Sequence, residues 1–218
     1  MMGYTAVLIA LLAAAPLALL AKHVAQRMIA SERAEWAFQG ISISQAHPGP
    51  RLLITAIFLG VAVAGAVWRL GLGVQLVLAI FFIVGLVVLG SVDLQILLLP
   101  DSGTLPLLWV GLVAAGAGMF VGPADAILGA ATGYALVWAV HHAGRGINLT
   151  PGIGLGDAKM LAAIGAWTGY QAAIQILAMA LAAMVFVGLI ARRHRGGALP
   201  LGPGLAAAGI AMFVLAPK

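Results

Sequence analysis

Two aspartates stand where a charge is costly. Asp93 lies in Val88-Leu89-Gly90-Ser91-Val92-Asp93-Leu94-Gln95-Ile96-Leu97-Leu98-Leu99-Pro100, with apolar residues on both sides. Asp157 closes Gly152-Ile153-Gly154-Leu155-Gly156-Asp157 and opens a short apolar stretch. Only four other acids occur: Glu32, Glu35, Asp101 and Asp125. An acid inside a membrane segment costs roughly 2.5–3.5 kcal/mol on insertion scales, so it marks a functional candidate by default. Two carboxylates that meet in a poorly solvated site cannot both ionise cheaply and come to share a proton. One then takes a proton from water while the other serves a carbonyl, which is the chemistry of an aspartic protease. Gly154 and Gly156 would let a backbone pass close to a peptide strand. From these residues alone, catalysis, helix capping at Asp157 and ion coordination all stay open.

The elements that must position these acids are membrane helices. Of 218 residues 63% are hydrophobic and 8% charged, with a mean hydropathy of +1.13. About a quarter of a soluble domain is charged. Lipid admits helices or a closed barrel. These segments are apolar on all sides rather than alternating, which excludes the barrel. The fold class expected is therefore all-α, a polytopic membrane helix bundle of about eight transmembrane helices in a single membrane domain over 1–218. The spans fall at about 4–22, 52–69, 73–95, 105–121, 124–142, 157–168, 170–191 and 199–216. The sixth is short and reads as a partial span lining a cavity. The first has no Lys or Arg before it and reads as a retained helix rather than a signal peptide.

Basic residues set the expected orientation. Lys22, Arg27, Arg33, Arg51, Arg145, Lys159, Arg192, Arg193 and Arg195 fall on one side, against Arg69 and Lys218 on the other. That side is cytoplasmic by the positive-inside rule, which places both termini in the periplasm and both candidate acids near the cytoplasmic face. The net charge of +5 reflects this asymmetry. No basic stripe with interleaved aromatics points to nucleic acid. A short cytoplasmic loop at about 23–51 is expected to carry a small interfacial helix around Glu32, Arg33, Glu35 and Gln39, with Trp36 and Phe38 in the headgroups. His47-Pro48-Gly49-Pro50 would end it. Trp68, Trp109, Trp138 and Trp167 near span ends fit an aromatic belt, and Asp125 after Pro123 a helix cap. His141, His142 and His194 read as interfacial anchors. There is no cysteine, hence no disulfide and no thiol chemistry. No metal site and no zinc are expected, since His23 and His47 cannot complete a tetrahedral site.

The stretch Ser91-Val92-Asp93-Leu94-Gln95-Ile96-Leu97-Leu98-Leu99-Pro100-Asp101, followed by Thr104-Leu105-Pro106, resembles the first catalytic motif of the type IV prepilin leader peptidases. Gly154-Leu155-Gly156-Asp157-Ala158-Lys159-Met160 resembles their second, the Gly-x-Gly-Asp that names the wider class of intramembrane aspartic proteases. Leu199-Pro200-Leu201-Gly202-Pro203-Gly204 is similar to the start of their final helix, and the 64-residue separation of Asp93 and Asp157 suits the family.

The resemblance implies an aspartic endopeptidase of the bacterial inner membrane. It would cleave the leader of type IV prepilins or type II secretion pseudopilins at the cytoplasmic face. Asp93 and Asp157 are the implied catalytic pair. Asp101 lies in the motif but outside the pair, as a solvated turn residue after Pro100. Lys159 would hold an acidic substrate residue or a lipid phosphate, or anchor at the interface. Many members carry a larger zinc-binding loop with two Cys-x-x-Cys pairs and also methylate the product using S-adenosylmethionine. This chain departs from that pattern, so it is expected to cleave without methylating, with S-adenosylmethionine the one cofactor the resemblance leaves open. The rival reading is an ion- or proton-coupled transporter using Asp93 and Asp157.

Overall fold

The structure, a computed structural model, describes residues 2–43, 49–145, 153–191 and 200–215. The break at His47-Pro48 and the basic cluster Arg192, Arg193 and Arg195 lie outside the described residues. Eight helices follow one another, with no strand among the described residues: α1 (Met2–Phe38), α2 (Leu52–Leu70), α3 (Val74–Ile96), α4 (Asp101–Gly116), α5 (Pro123–Arg145), α6 (Leu155–Thr168), α7 (Tyr170–Ala191) and α8 (Gly202–Leu215). Among these, α2, α3, α5 and α7 are long and apolar enough to cross a bilayer. The protein is a multi-pass membrane helix bundle.

The first span does not stop near residue 22, and no separate interfacial helix follows among the described residues. α1 is continuous for 37 residues, about 55 Å at 1.5 Å per residue. From Lys22 to Phe38 there is no Gly or Pro, and a change from apolar to charged side chains does not end a helix. The connection to α2 thus shrinks to residues 39–51. α1 lays Ala10, Ala14, Ala18, Ala21, Ala25 and Ile29, all buried, against the bundle. This narrow stripe of small residues lets it approach α2 and α3 closely.

α6 is the centre of the bundle. Every residue from Asp157 to Trp167 except Lys159 is buried. It packs against α4, α5, α7 and α8. The α5 contact is backbone on backbone: a Cβ on Gly165 would collide with the Gly129 carbonyl, and one on Gly133 would stand 2.6 Å from the Leu161 oxygen. A helix of 14 residues reaches only about 21 Å, which suffices for a helix enclosed by protein rather than lipid.

Trp167 is buried rather than part of an interfacial belt. Its indole stacks on Phe82 with ring centroids 4.8 Å apart, beside Phe120 and Phe213. Its Nε1–H donates to the Leu107 carbonyl at 2.8 Å, satisfying the one polar atom such a ring must bury. Trp68, Trp109 and Trp138 are exposed, as a belt requires. Arg69 turns back over the Phe213 ring, 5.5 Å from its centroid, and donates to the Phe213 carbonyl.

Candidate active site

The two acids reach one cavity from elements distant in sequence. Asp93 stands near the end of α3 and is 5% exposed; Asp157 stands in the first turn of α6 and is 3% exposed. The cavity, about 340 Å³, is lined by Asp93, Leu97, Leu98, Leu99 and the run Ile153 to Asp157. Gly154 and Gly156 therefore belong to the same wall as the acids.

Local structure explains the placement. α3 ends one turn after Asp93, where the Leu97 N–H donates to the Asp93 carbonyl at 2.8 Å. Leu97 caps the helix in the left-handed region, at φ 56° and ψ 30°. A leucine there is strained, and such strain gathers at functional sites. After the reversal Leu98 and Leu99 line the cavity, and Pro100 caps the start of α4. On the facing side Gly156 has no room for a side chain, since a Cβ would lie 2.9 Å from the Leu99 Cβ.

The carboxylates are held asymmetrically. Asp157 Oδ2 accepts the Gly154 N–H at 2.8 Å, so the acid caps its own helix. Its Oδ1 is buried with no partner among the described residues. An unpaired buried polar atom costs about 1–3 kcal/mol, and an orphan of this kind calls for a reason. Asp93 Oδ2 accepts the N–H of Gly202, the first residue of α8, also at 2.8 Å.

Neighbouring residues brace this frame. Lys159 does not reach free into solvent. Its Nζ grips both carboxylate oxygens of Asp101 at 2.6 and 2.8 Å, tying α6 to the start of α4. Asp101 also sits in the first turn of its helix, where a negative charge is favoured. His141 on α5, read above as an interfacial anchor, bonds through Nδ1 to the Ile153 carbonyl at 2.7 Å. It thereby fixes the backbone at Ile153, next to Gly154. His142 instead bonds back to Trp138 within α5. The sequence offers no site signal for Leu97 or Gly202, and for His141 only that of an anchor. Only the Pro-Leu-Gly-Pro-Gly run gave a hint, as a helix start.

The family model described as the type IV leader peptidase family matches residues 80–191, which include both acids and both glycines. This chain belongs to the type IV leader peptidase family. A prepilin leader peptidase/N-methyltransferase from Aeromonas hydrophila is 39% identical over 171 residues, covering 77% of this chain and 57% of the relative. One from Xanthomonas campestris pv. campestris is 36% identical over 180 residues, covering 81% of this chain and 61% of the relative. One from Aeromonas salmonicida reaches 44% identity over 128 residues, with 57% and 44% covered. The chain thus spans about three-fifths or less of the curated relatives it matches. No solved structure matches.

Proposed function

We propose that this leader peptidase family member is an intramembrane aspartic endopeptidase, acting on the leader of type IV prepilins or type II secretion pseudopilins. The observation that carries the reading is the buried pair Asp93 and Asp157 on one cavity, with Asp157 Oδ1 left without a partner among the described residues. A pair sharing one proton has the two functions that peptide hydrolysis needs. The ionised carboxylate takes a proton from a water molecule as its oxygen attacks the scissile carbonyl. The protonated carboxylate donates to that carbonyl oxygen. Collapse of the tetrahedral intermediate returns a proton to the departing amine, and the pair is restored with one shared proton. The wall at Gly154, where a Cβ would meet nothing closer than 3.8 Å, suits an extended substrate strand.

The surplus of basic residues supports an orientation with this end of the bundle at the cytoplasmic face of the bacterial inner membrane. The proposed activity needs no metal. The named relatives are also N-methyltransferases. Here the connection of residues 39–51 and the absence of cysteine favour cleavage without methylation. The test combines purified chain with a prepilin and labelled S-adenosylmethionine, following both products by mass. Leader release by the wild type, lost in Asp93→Asn and Asp157→Asn at equal protein yield, is expected. Full cleavage by either variant refutes the mechanism, and a methylated product refutes the single activity.

A further inference from the structure

Asp93 takes its hydrogen bond from the far end of the chain. The Gly202 N–H reaches Oδ2 in a buried contact across 109 residues of sequence. Pro203 follows and has no N–H, so the donor at the head of α8 is Gly202 itself. The space is as constrained as the bond. A Cβ on Gly202 would stand 2.6 Å from Asp93 Oδ2, 2.8 Å from its Cβ and 2.9 Å from its Cγ. That side chain is short and buried, and it cannot swing aside as a long flexible one would. α3 and α8 touch closely on the same side, since a Cβ on Gly90 would lie 3.2 Å from Ala206. Gly204, two residues on, differs. A Cβ there would meet Ala180 at an ordinary 3.4 Å.

We infer that Gly202 is a positioning residue for the catalytic pair. Its N–H holds Asp93 Oδ2, and its lack of a side chain leaves the carboxylate its place beside Asp157. The head of α8 is then a third wall of the active site, joining the ends of α3 and α6. This rests on the peptidase reading.

The test uses the full chain in lipid, with kcat and KM measured on a prepilin and folding followed by thermal melting. Gly202→Ala is expected to lower kcat by about a hundredfold, as misplacement by about 1 Å does, with KM nearly unchanged. Gly204→Ala is expected to match wild type in both. Should Gly202→Ala fail to fold, replacing Gly202 by glycolate deletes the N–H without adding an atom, and at least about a tenfold loss in kcat is expected. Wild-type kcat in folded Gly202→Ala, or in the glycolate variant, overturns the inference while leaving the peptidase reading intact. A wild type that cleaves no prepilin overturns that reading, and the positioning role with it.

Discussion

Asp157 is fixed through one of its two carboxylate oxygens. Oδ2 is spent on the Gly154 N–H, which orients the carboxylate and stabilises the first turn of α6. Oδ1 has nothing to hold it among the described residues. Either acid changed to Asn keeps its size but loses the proton exchange, and cleavage is expected to fall by about 10²–10⁴-fold, the usual weight of general acid–base catalysis. His141 acts one step further back, through the Ile153 carbonyl. His141→Phe leaves that acceptor unpaired, at about 1–3 kcal/mol, and should lower kcat with little effect on KM. His141→Asn can still donate and should recover most of the rate. Equal rates for wild type and His141→Phe would show that the Ile153 bond is incidental.

Among the elements, α6 and α4 are tied by Lys159 and Asp101, whose side chains are 37% and 54% exposed. An exposed pair contributes only about 0–1 kcal/mol, so its loss should leave the melting temperature nearly unchanged. The strained reversal at Leu97 lies between Asp93 and this tie, so activity is the more sensitive quantity. Lys159→Asp or Asp101→Lys alone is expected to slow cleavage several-fold, and the double exchange to restore much of it. Single and double variants of equal rate would remove the tie from the site. The α5–α6 contact is less forgiving: Gly165→Val would force side-chain atoms against the Gly129 backbone, costing 1–3 kcal/mol or more by overpacking. Wild-type yield and melting for that variant would contradict the close packing.

How much of this was legible in the sequence follows from distance along the chain. Asp93 and Asp157 stood out because each interrupts an apolar run, a purely local signal. The helices themselves stood out as apolar runs, but their limits less so: α4 runs from Asp101 to Gly116, against a span expected at about 105–121. α1 runs on past the rise in charge at Lys22, since no residue there breaks a helix. The bonds of Gly202 to Asp93, Trp167 to Leu107 and Lys159 to Asp101 join separate helices. Nothing in the composition of one helix announces the partner supplied by another.

At the scale of the whole molecule, the distribution of basic residues should be visible in topology. Tags at the two ends are expected to be protected from protease in sealed, inverted vesicles, which turn the cytoplasmic face outward, while residues 39–51 are cleaved. Cleavage of both tags and protection of that connection would reverse the orientation.

The enclosure of α6 has a further consequence. Bilayers differ in thickness, and spanning helices respond by tilting or by distorting the lipid around them. α2, α3, α5 and α7 present apolar faces to that pressure. α6, from Asp157 to Trp167, is surrounded by protein apart from Lys159. The depth of Asp157 is therefore referenced to its neighbouring helices and not to the acyl chains. Across vesicles of increasing lipid chain length, the position of the cut in a prepilin should stay fixed, even where the rate changes. A cut that migrates along the substrate with membrane thickness would mean that the lipid, not the bundle, sets the register.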